Sequence, residues 1–410
     1  MKESGIDWIG QIPQGWGVKA IKYIFDEIGS GSTPKSDNEI FYDGDINWIQ
    51  SGDLYQTDTV TSVSKTISYQ GFKSTSALKI YKHPFIALAM YGASVGNVAI
   101  SCIDACVNQA VVVMLGTSET VRFGKYAIEA SKNNLIFSAQ GGTQPNISQS
   151  LIKNWNIPQP DSSEQTKIAD FLDKKTTQLD KVKSLLEEQI QKLKDYRASL
   201  IYETVTKGLD KTVSMKDSGI DWIGQVPEGW GVSRLKYFFD IYAGGDIDER
   251  NTVDEYSENH PYPVISNSLE NEGILGYTNN FRFQGDSVTV TGRGDVGKAV
   301  YRNIEFYPVV RLLVCIPKKQ VDCRFVTYWI NSAIIEKNQT AVSQLTIQML
   351  GELIFTKVPY VEQKKIADFL DEKTIQIDKL IQIKNEQIKN INKQRQTLIY
   401  DYVTGKRRVY

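Results

Sequence analysis

Gly292-Arg293-Gly294-Asp295-Val296-Gly297-Lys298 nearly spells a phosphate-cradling loop, the chain's closest approach to a nucleotide site. Such a loop needs Ser or Thr after the lysine to hold Mg²⁺, and a helix must follow. Ala299 stands there instead, and Ala299-Val300-Tyr301 reads as a strand, so nucleotide binding is not expected. Asp170 and Asp173 recur as Asp368 and Asp371, but on helices such carboxylates usually form a solvated face. The only histidines are His83 and His260, which argues against a His-based triad or metal site. Cys102, Cys106, Cys315 and Cys323 lack zinc-site spacing. They are expected to be free, reduced thiols in β-rich segments. The motifs of an amino-methylating enzyme and of a helicase motor are also missing. The expectation is a non-catalytic chain with no metal and no cofactor of its own.

The elements that must position any site are written twice. Ser4-Gly5-Ile6-Asp7-Trp8-Ile9-Gly10-Gln11 returns 214 residues later as Ser218 to Gln225. Glu164-Gln165 with Lys167-Ile168-Ala169-Asp170-Phe171-Leu172-Asp173 returns 198 residues later, from Glu362 to Asp371. Leu200-Ile201-Tyr202 returns as Leu398-Ile399-Tyr400. Two long copies imply two similar domains rather than a solenoid. The flanks match and the middles differ, which suggests one scaffold presenting two recognition surfaces. The boundaries predicted are 1–160 and 215–360 for the variable blocks, and 161–214 and 361–410 for the helical spacers. The fold class is α+β, with a pseudo-twofold axis relating the halves.

The helical spacers carry a seven-residue period. Leu172, Leu179, Leu186, Leu193 and Leu200 form one seam; Leu370, Ile377, Lys384, Ile391 and Leu398 form the other. Sustained heptads argue for a coiled coil, and the simplest partner is the other copy, packed antiparallel. Ile168, Val182, Ile190 and Tyr196 are expected to thicken the first stripe. Lys384, Gln189 and Gln387 are candidates for fixing its register. Alternatively, each helix packs only on its own domain. A leucine-zipper DNA binder is disfavoured because the segments preceding the heptads are mixed in charge.

The variable blocks read as short strands between turn signals: Phe85 to Met90, Ala110 to Leu115, Val288 to Thr291 and Val309 to Ile316. Short helices are expected near 124–132 and 324–338. Three loops match between the blocks. Ile49 to Leu54 corresponds to Val264 to Leu269, Ser94 to Asn97 to Asp295 to Lys298, and Thr143 to Ile147 to Ser343 to Ile347. Gly96 and Gly297 suit either a backbone approach to phosphate or a hairpin turn with positive φ.

Net charge is −1 and the pI about 6.3, which counts against a simple nucleic-acid binder. DNA contact would need local basic patches or a partner subunit. The polar amino terminus lacks a secretion-signal pattern, and the longest apolar stretch, Pro84 to Ile100, is short and glycine-bearing. A cytoplasmic location is expected.

In this order the motifs resemble the specificity (S) subunit of Type I restriction-modification systems, over essentially the whole chain. Gly31-Ser32-Thr33-Pro34, Gly44 to Ile49 and Ser51-Gly52-Asp53-Leu54 look like the entry to a target recognition domain. Gly141-Gly142-Thr143-Gln144 through Ile157-Pro158 looks like its exit. The second block departs, with Ala243-Gly244-Gly245-Asp246 for the first turn and Asn267-Ser268 in place of Gly52-Asp53. The resemblance implies two target recognition domains, each reading half of a split, asymmetric DNA site across a gap set by the coiled coil. It implies two modification subunits that use S-adenosylmethionine to methylate adenine at N6. It also implies restriction (motor-nuclease) subunits that use ATP and Mg.

Base readout in the major groove uses Arg or Lys for guanine and Asn or Gln for adenine. In the first block the expected DNA-binding residues are Lys35, Gln50, Ser51, Tyr91, Gly96, Asn97, Thr143 and Gln144. In the second they are Ser266, Asn267, Arg293, Gly297, Lys298, Gln344 and Thr346. Trp8, Trp16, Trp222 and Trp230 are expected to pack. The rival reading is a non-catalytic coiled-coil scaffold with two protein-binding domains.

Overall fold

The computed structural model describes residues 1–139, 146–333 and 344–409. Its helices are α1 (Tyr69–Lys73), α2 (Ser118–Phe137), α3 (Gln149–Asn154), α4 (Ser162–Lys207), α5 (Cys323–Ser332), α6 (Ile347–Glu352) and α7 (Tyr360–Val403). The chain forms two compact units. One comprises residues 1–186 with 386–410, the other 187–385. The division falls inside α4 and α7, so each unit contains the start of one long helix and the end of the other.

In the first unit a five-stranded sheet runs in the order Glu27–Ser30, Val111–Leu115, Phe85–Ala89, Val98–Ser101, Thr59–Val60. The strand Phe85–Ala89 is buried along its whole length, because sheet neighbours flank it and apolar clusters cover both faces. A second sheet pairs Tyr42–Ile49 with Cys106–Val107 and Thr66–Ile67. In the second unit the corresponding sheets are Phe239–Ala243, Leu312–Pro317, Ser287–Thr291, Ala299–Arg302, and Thr252–Val253, Ile274–Thr278, Tyr262–Ile265, Tyr307–Pro308. Both units also carry an amino-terminal hairpin and a ribbon that delivers the chain to its long helix.

The long helices follow their own blocks and then serve the other's. Ile168 and Leu172 at the start of α4 join the first unit's core, while Ile201 and Val205 at its end lie in the second unit's core. α7 does the reverse: Ile366 and Leu370 are in the second core, Ile399 and Val403 in the first. Within the first unit Phe171 meets the Tyr402 ring at 4.4 Å and Arg395 meets Asp180 at 3.5 Å. Within the second, Lys384 donates to Gln189 at 2.6 Å and Arg197 pairs with Asp378 at 3.3 Å. As one helix number rises the other falls, so the pairing is antiparallel.

Leu172, Leu179, Leu186, Leu193 and Leu200 all lie on the buried or half-buried stripe, as do Leu370, Ile377, Lys384, Ile391 and Leu398. Ile168 and Ile190 are buried on the stripe as expected, whereas Val182 and Tyr196 are 46% and 57% exposed. Thr176, Lys183, Arg197 and Thr204 complete the stripe and, with Ile190, fall four residues after each leucine. An i, i+4, i+7 stripe selects those positions, and Val182 and Tyr196 are one residue off it.

Asp170, Asp173, Asp368 and Asp371 are also more than a solvated face. Arg122 of α2 pairs with Asp170 and Asp173, and the Tyr126 hydroxyl donates to Asp173 at 2.6 Å. In the second unit Arg324 of α5 pairs with Asp368 and Asp371, and Tyr328 donates to Asp371 at 2.8 Å. Trp16 and Trp230 are buried as expected, and their indoles donate to Glu164 and Glu362, in the first turn of each long helix. Cys323 opens α5 rather than lying in a strand. Burial pushes the Cys106 and Cys315 thiols up to about 12. Among the described residues no helix is long and apolar enough to cross a membrane.

Candidate nucleic-acid interface

Four loops converge at one end of the main sheet in the second unit. The turn joining Ser287–Thr291 to Ala299–Arg302 closes through Gly297 N donating to Thr291 O at 2.8 Å and Thr291 N donating to Lys298 O at 2.9 Å. Gly294 and Gly297 have φ of +73° and +83°, a region that favours glycine. The turn at Val309–Arg311 is closed by Leu312 N donating to Val309 O. Gly292 faces this turn so closely that a Cβ would lie 2.2 Å from the Arg311 carbonyl oxygen. The third loop supplies Asn267. Its Oδ1 accepts from Gly292 N at 2.9 Å, and its Nδ2 donates to Val310 O at 3.3 Å. The fourth approaches through Leu345 N, which donates to Gly292 O at 3.0 Å.

The predicted residues fall into two groups here. Arg293, Lys298 and Gln344 are exposed on the loops. Ser266 is buried; its hydroxyl donates to Gly273 O and accepts from Ser268 N. Asn267 has both ends of its amide engaged by backbone. Thr346 caps α6, accepting from Met349 N at 3.2 Å, and Gly297 is buried in its turn. Beside them Arg302 is buried against Thr289 and the Glu272 carbonyl, and burial pushes its guanidinium down to about 10. That bond braces a turn in which Asn271 and Glu272 both have positive φ.

The first unit repeats the brackets. Gly96 N donates to Ala89 O, Ala89 N to Asn97 O, and Ile147 N to Met90 O, each at 2.8–2.9 Å. Asn108 N donates to Ile49 O at 3.0 Å, as Val309 N does to Ile265 O at 2.9 Å. Gly96 has φ +74° and is buried, and a Cβ there would meet the Ile136 side chain at 2.9 Å. That favours the hairpin-turn role over an open phosphate cradle. Asn97 Oδ1 accepts from Lys132, whose ammonium burial pulls below its ordinary range. Gln50 is half-buried and its N–H donates to Asp53, so Gln50 and Ser51 begin a pinned 3-10 turn over Ser51–Leu54. Lys35 is exposed on a segment held by Trp48 donating to Ser32 O and Tyr42 donating to Pro34 O. Tyr91 is half-buried against the first core. Thr143 and Gln144 lie outside the described residues.

These brackets correct two of the three loop correspondences. Ile49 matches Ile265, not Val264, so Gln50 is equivalent to Ser266 and Ser51 to Asn267. Ile147 matches Leu345, and the cap of α3, Ser148, matches the cap of α6, Thr346. Gln344 is therefore equivalent to Asn146 rather than to Gln144. Side-chain likeness suggested the original match; backbone hydrogen bonds and helix caps fix the true one. The third correspondence, Gly96 with Gly297, stands.

Sequence reading missed Arg311, which is exposed and holds φ +71°. A charge interrupting the apolar run Val309 to Ile316 was the available signal. The strand begins only after it, at Leu312.

A model of the Type I restriction modification DNA specificity domain matches residues 13–194 and 227–393. The MjaIX specificity subunit of a type I restriction enzyme of Methanocaldococcus jannaschii is 27% identical over 63% of this chain and 58% of its own length. The MjaVIII specificity subunit of the same organism is 24% identical over 69% of each. The matched segments span only 35% and 32% of two Mycoplasma pneumoniae relatives. Among solved structures, one from work on complex assembly and conformational transition of the type I R-M system has a TM-score of 0.76. It is 16% identical and covers 97% of this chain and 100% of that one. The HsdS subunit of Thermoanaerobacter tengcongensis has a TM-score of 0.54 at 16% identity, covering 99% and 100%. These likenesses show the fold.

Proposed function

Since the chain belongs to the Type I restriction-modification DNA specificity family, we propose that it chooses the DNA site for a restriction-modification complex and performs no chemistry itself. Each compact unit reads one half of a split, asymmetric duplex site. Two modification subunits, supplying S-adenosylmethionine chemistry, methylate adenine at N6. Restriction subunits, using ATP and Mg, cleave unmodified DNA. Base flipping at the target adenine falls to the modification subunits.

The observation that carries this reading is the repeated loop bracket. The same backbone bonds recur in both units, while the side chains they carry differ: half-buried Ser51, Tyr91 and Asn97 in one, exposed Arg293, Lys298 and Gln344 in the other. One frame carrying two side-chain sets suits two different half-sites. The antiparallel helices, fixed in register by pairs such as Lys384–Gln189, suit a constant gap. Near-neutral net charge is compatible with partners that share the phosphate contacts.

The test is co-expression with a cognate modification subunit in a methylation-free host, followed by genome-wide mapping of N6-methyladenine. A split motif with a constant gap, methylated on both strands, is the expected result. No new methylation from a demonstrably assembled complex would overturn the reading.

A further inference from the structure

The structural register makes a comparison that residue matching hides. Tyr91 of the first unit occupies the place of Arg293, Asn97 that of Lys298, and Ala110 that of Arg311. At three equivalent loop positions the second unit presents cations and the first presents none. Arg293 and Arg311 stand on facing turns: Thr291 pairs with Leu312 in the sheet, and Gly292 abuts the Arg311 carbonyl. Both side chains are exposed. Among the described residues, Asn267 is the side chain that ties the two turns together, through one bond to each. Arg311 also holds its turn in a left-handed conformation that costs a non-glycine residue energy, a feature that clusters at functional sites.

We infer that Arg293 and Arg311 are a paired guanine-reading edge of the second unit, and that Asn267 is a positioning residue holding the pair rather than a reader of adenine. The inference rests on the DNA-reading function proposed above. Arginine forks match the O6 and N7 acceptors of guanine in the major groove. Two forks on turns fixed to one another read two guanines at a set spacing. The second half-site therefore contains two guanines, and the first half-site is read without such a pair.

The experiment uses the assembled complex with its modification subunits and a duplex carrying the mapped site. Each second-half-site guanine is replaced in turn by 7-deazaguanine, which removes the N7 acceptor. Wild-type methylation should fall about tenfold to a hundredfold at two positions. Arg311→Gly keeps the turn, because glycine favours its positive φ, and should lose discrimination at one guanine only. Arg293→Ala should lose it at the other, leaving the first half-site intact. Asn267→Asp keeps the acceptor for Gly292 N and loses the donor to Val310 O. It should blur the Arg311 position and spare that of Arg293. Asn267→Ala should blur both, whereas a direct reader would blur a single adenine. A mapped second half-site without guanine would overturn the inference, as would arginine variants that weaken all sequences uniformly. Absence of any split motif in the wild type would instead defeat the function itself.

Discussion

α2 in the first unit and α5 in the second dock on their long helices through the same outer brace but different interiors. Arg122 and Tyr126 grip Asp170 and Asp173; Arg324 and Tyr328 grip Asp368 and Asp371. One turn further in, Lys125 and Glu129 of α2 join Asp58, Asp180 and Arg395 in a largely buried charge cluster. At the matching places α5 has Thr327 and Asn331, and Asn331 brackets the Ala299 backbone instead. The aromatic packing is exchanged as well. Trp8 stacks on Trp155, which follows α3, whereas Trp222 packs edge-on against Trp329 from α5. Ala127 stands where Trp329 would be, and Leu353 where Trp155 would be. A scaffold can thus keep its docking geometry while two elements trade the volume that fills it, since total volume and patterning matter more than which element supplies an indole.

Two variants should break the comparison most severely. Trp329→Ala should cost the second unit about 3–5 kcal/mol in denaturant unfolding. If the indole exchange is real, adding Leu353→Trp to Trp329→Ala should recover part of that loss. No recovery would show that the two cores are not interchangeable. Arg395→Met leaves Lys125 as the remaining cation beside Asp58 and Glu129 and takes Arg395 from the half-exposed Asp180, and should cost the first unit about 1–3 kcal/mol.

Acid should act on the cluster with opposite signs at its two aspartates. Burial pushes Asp58 up, but Lys125 and Arg395 prevail and hold it below its ordinary value. A depressed folded pKa stabilises above the unfolded value near ~3.9, and the contribution is lost as pH falls through the folded pKa. Burial raises Asp180, with Arg395 opposing, so its ionised form is less favoured in the fold than in the unfolded chain. Asp58→Asn should therefore lower stability at neutral pH and flatten the acid limb, while Asp180→Asn should be neutral or stabilising there. Unfolding curves between pH 3 and 7 would read both; equal signs would contradict this account.

Smaller effects sharpen the helix comparison. Arg197 is the counterpart of Arg395, but its side chain is 36% exposed against 14%, and among the described residues its one ion pair runs from Nε to Asp378 at 3.3 Å without hydrogen-bond geometry. Arg197→Met should change stability by no more than about 1 kcal/mol. Lys384 stands where the first copy has Leu186. Lys384→Leu should raise stability by roughly 0.5–1 kcal/mol and loosen the register, read as multiple helix pairings by disulfide trapping.

The repeats, the heptad leucines and the alternation of strands and turns were legible in the sequence because each is a local pattern with its own period. They determined two α+β blocks and two long helices. The loops at 94–97 and 295–298 were matched correctly because a positive-φ glycine marks the same turn in each. Asn267 was legible as a polar loop residue, but not as a staple, because its partners Gly292 and Val310 lie 25 and 43 residues away. The one-residue shift between Gln50 and Ser266 was hidden for the same reason: parallel pairing with a distant strand sets it. Arg311 was hidden inside an apolar run. Only the tertiary structure decided which half of each long helix enters which core, since heptads specify that a helix needs a partner and leave the partner to packing.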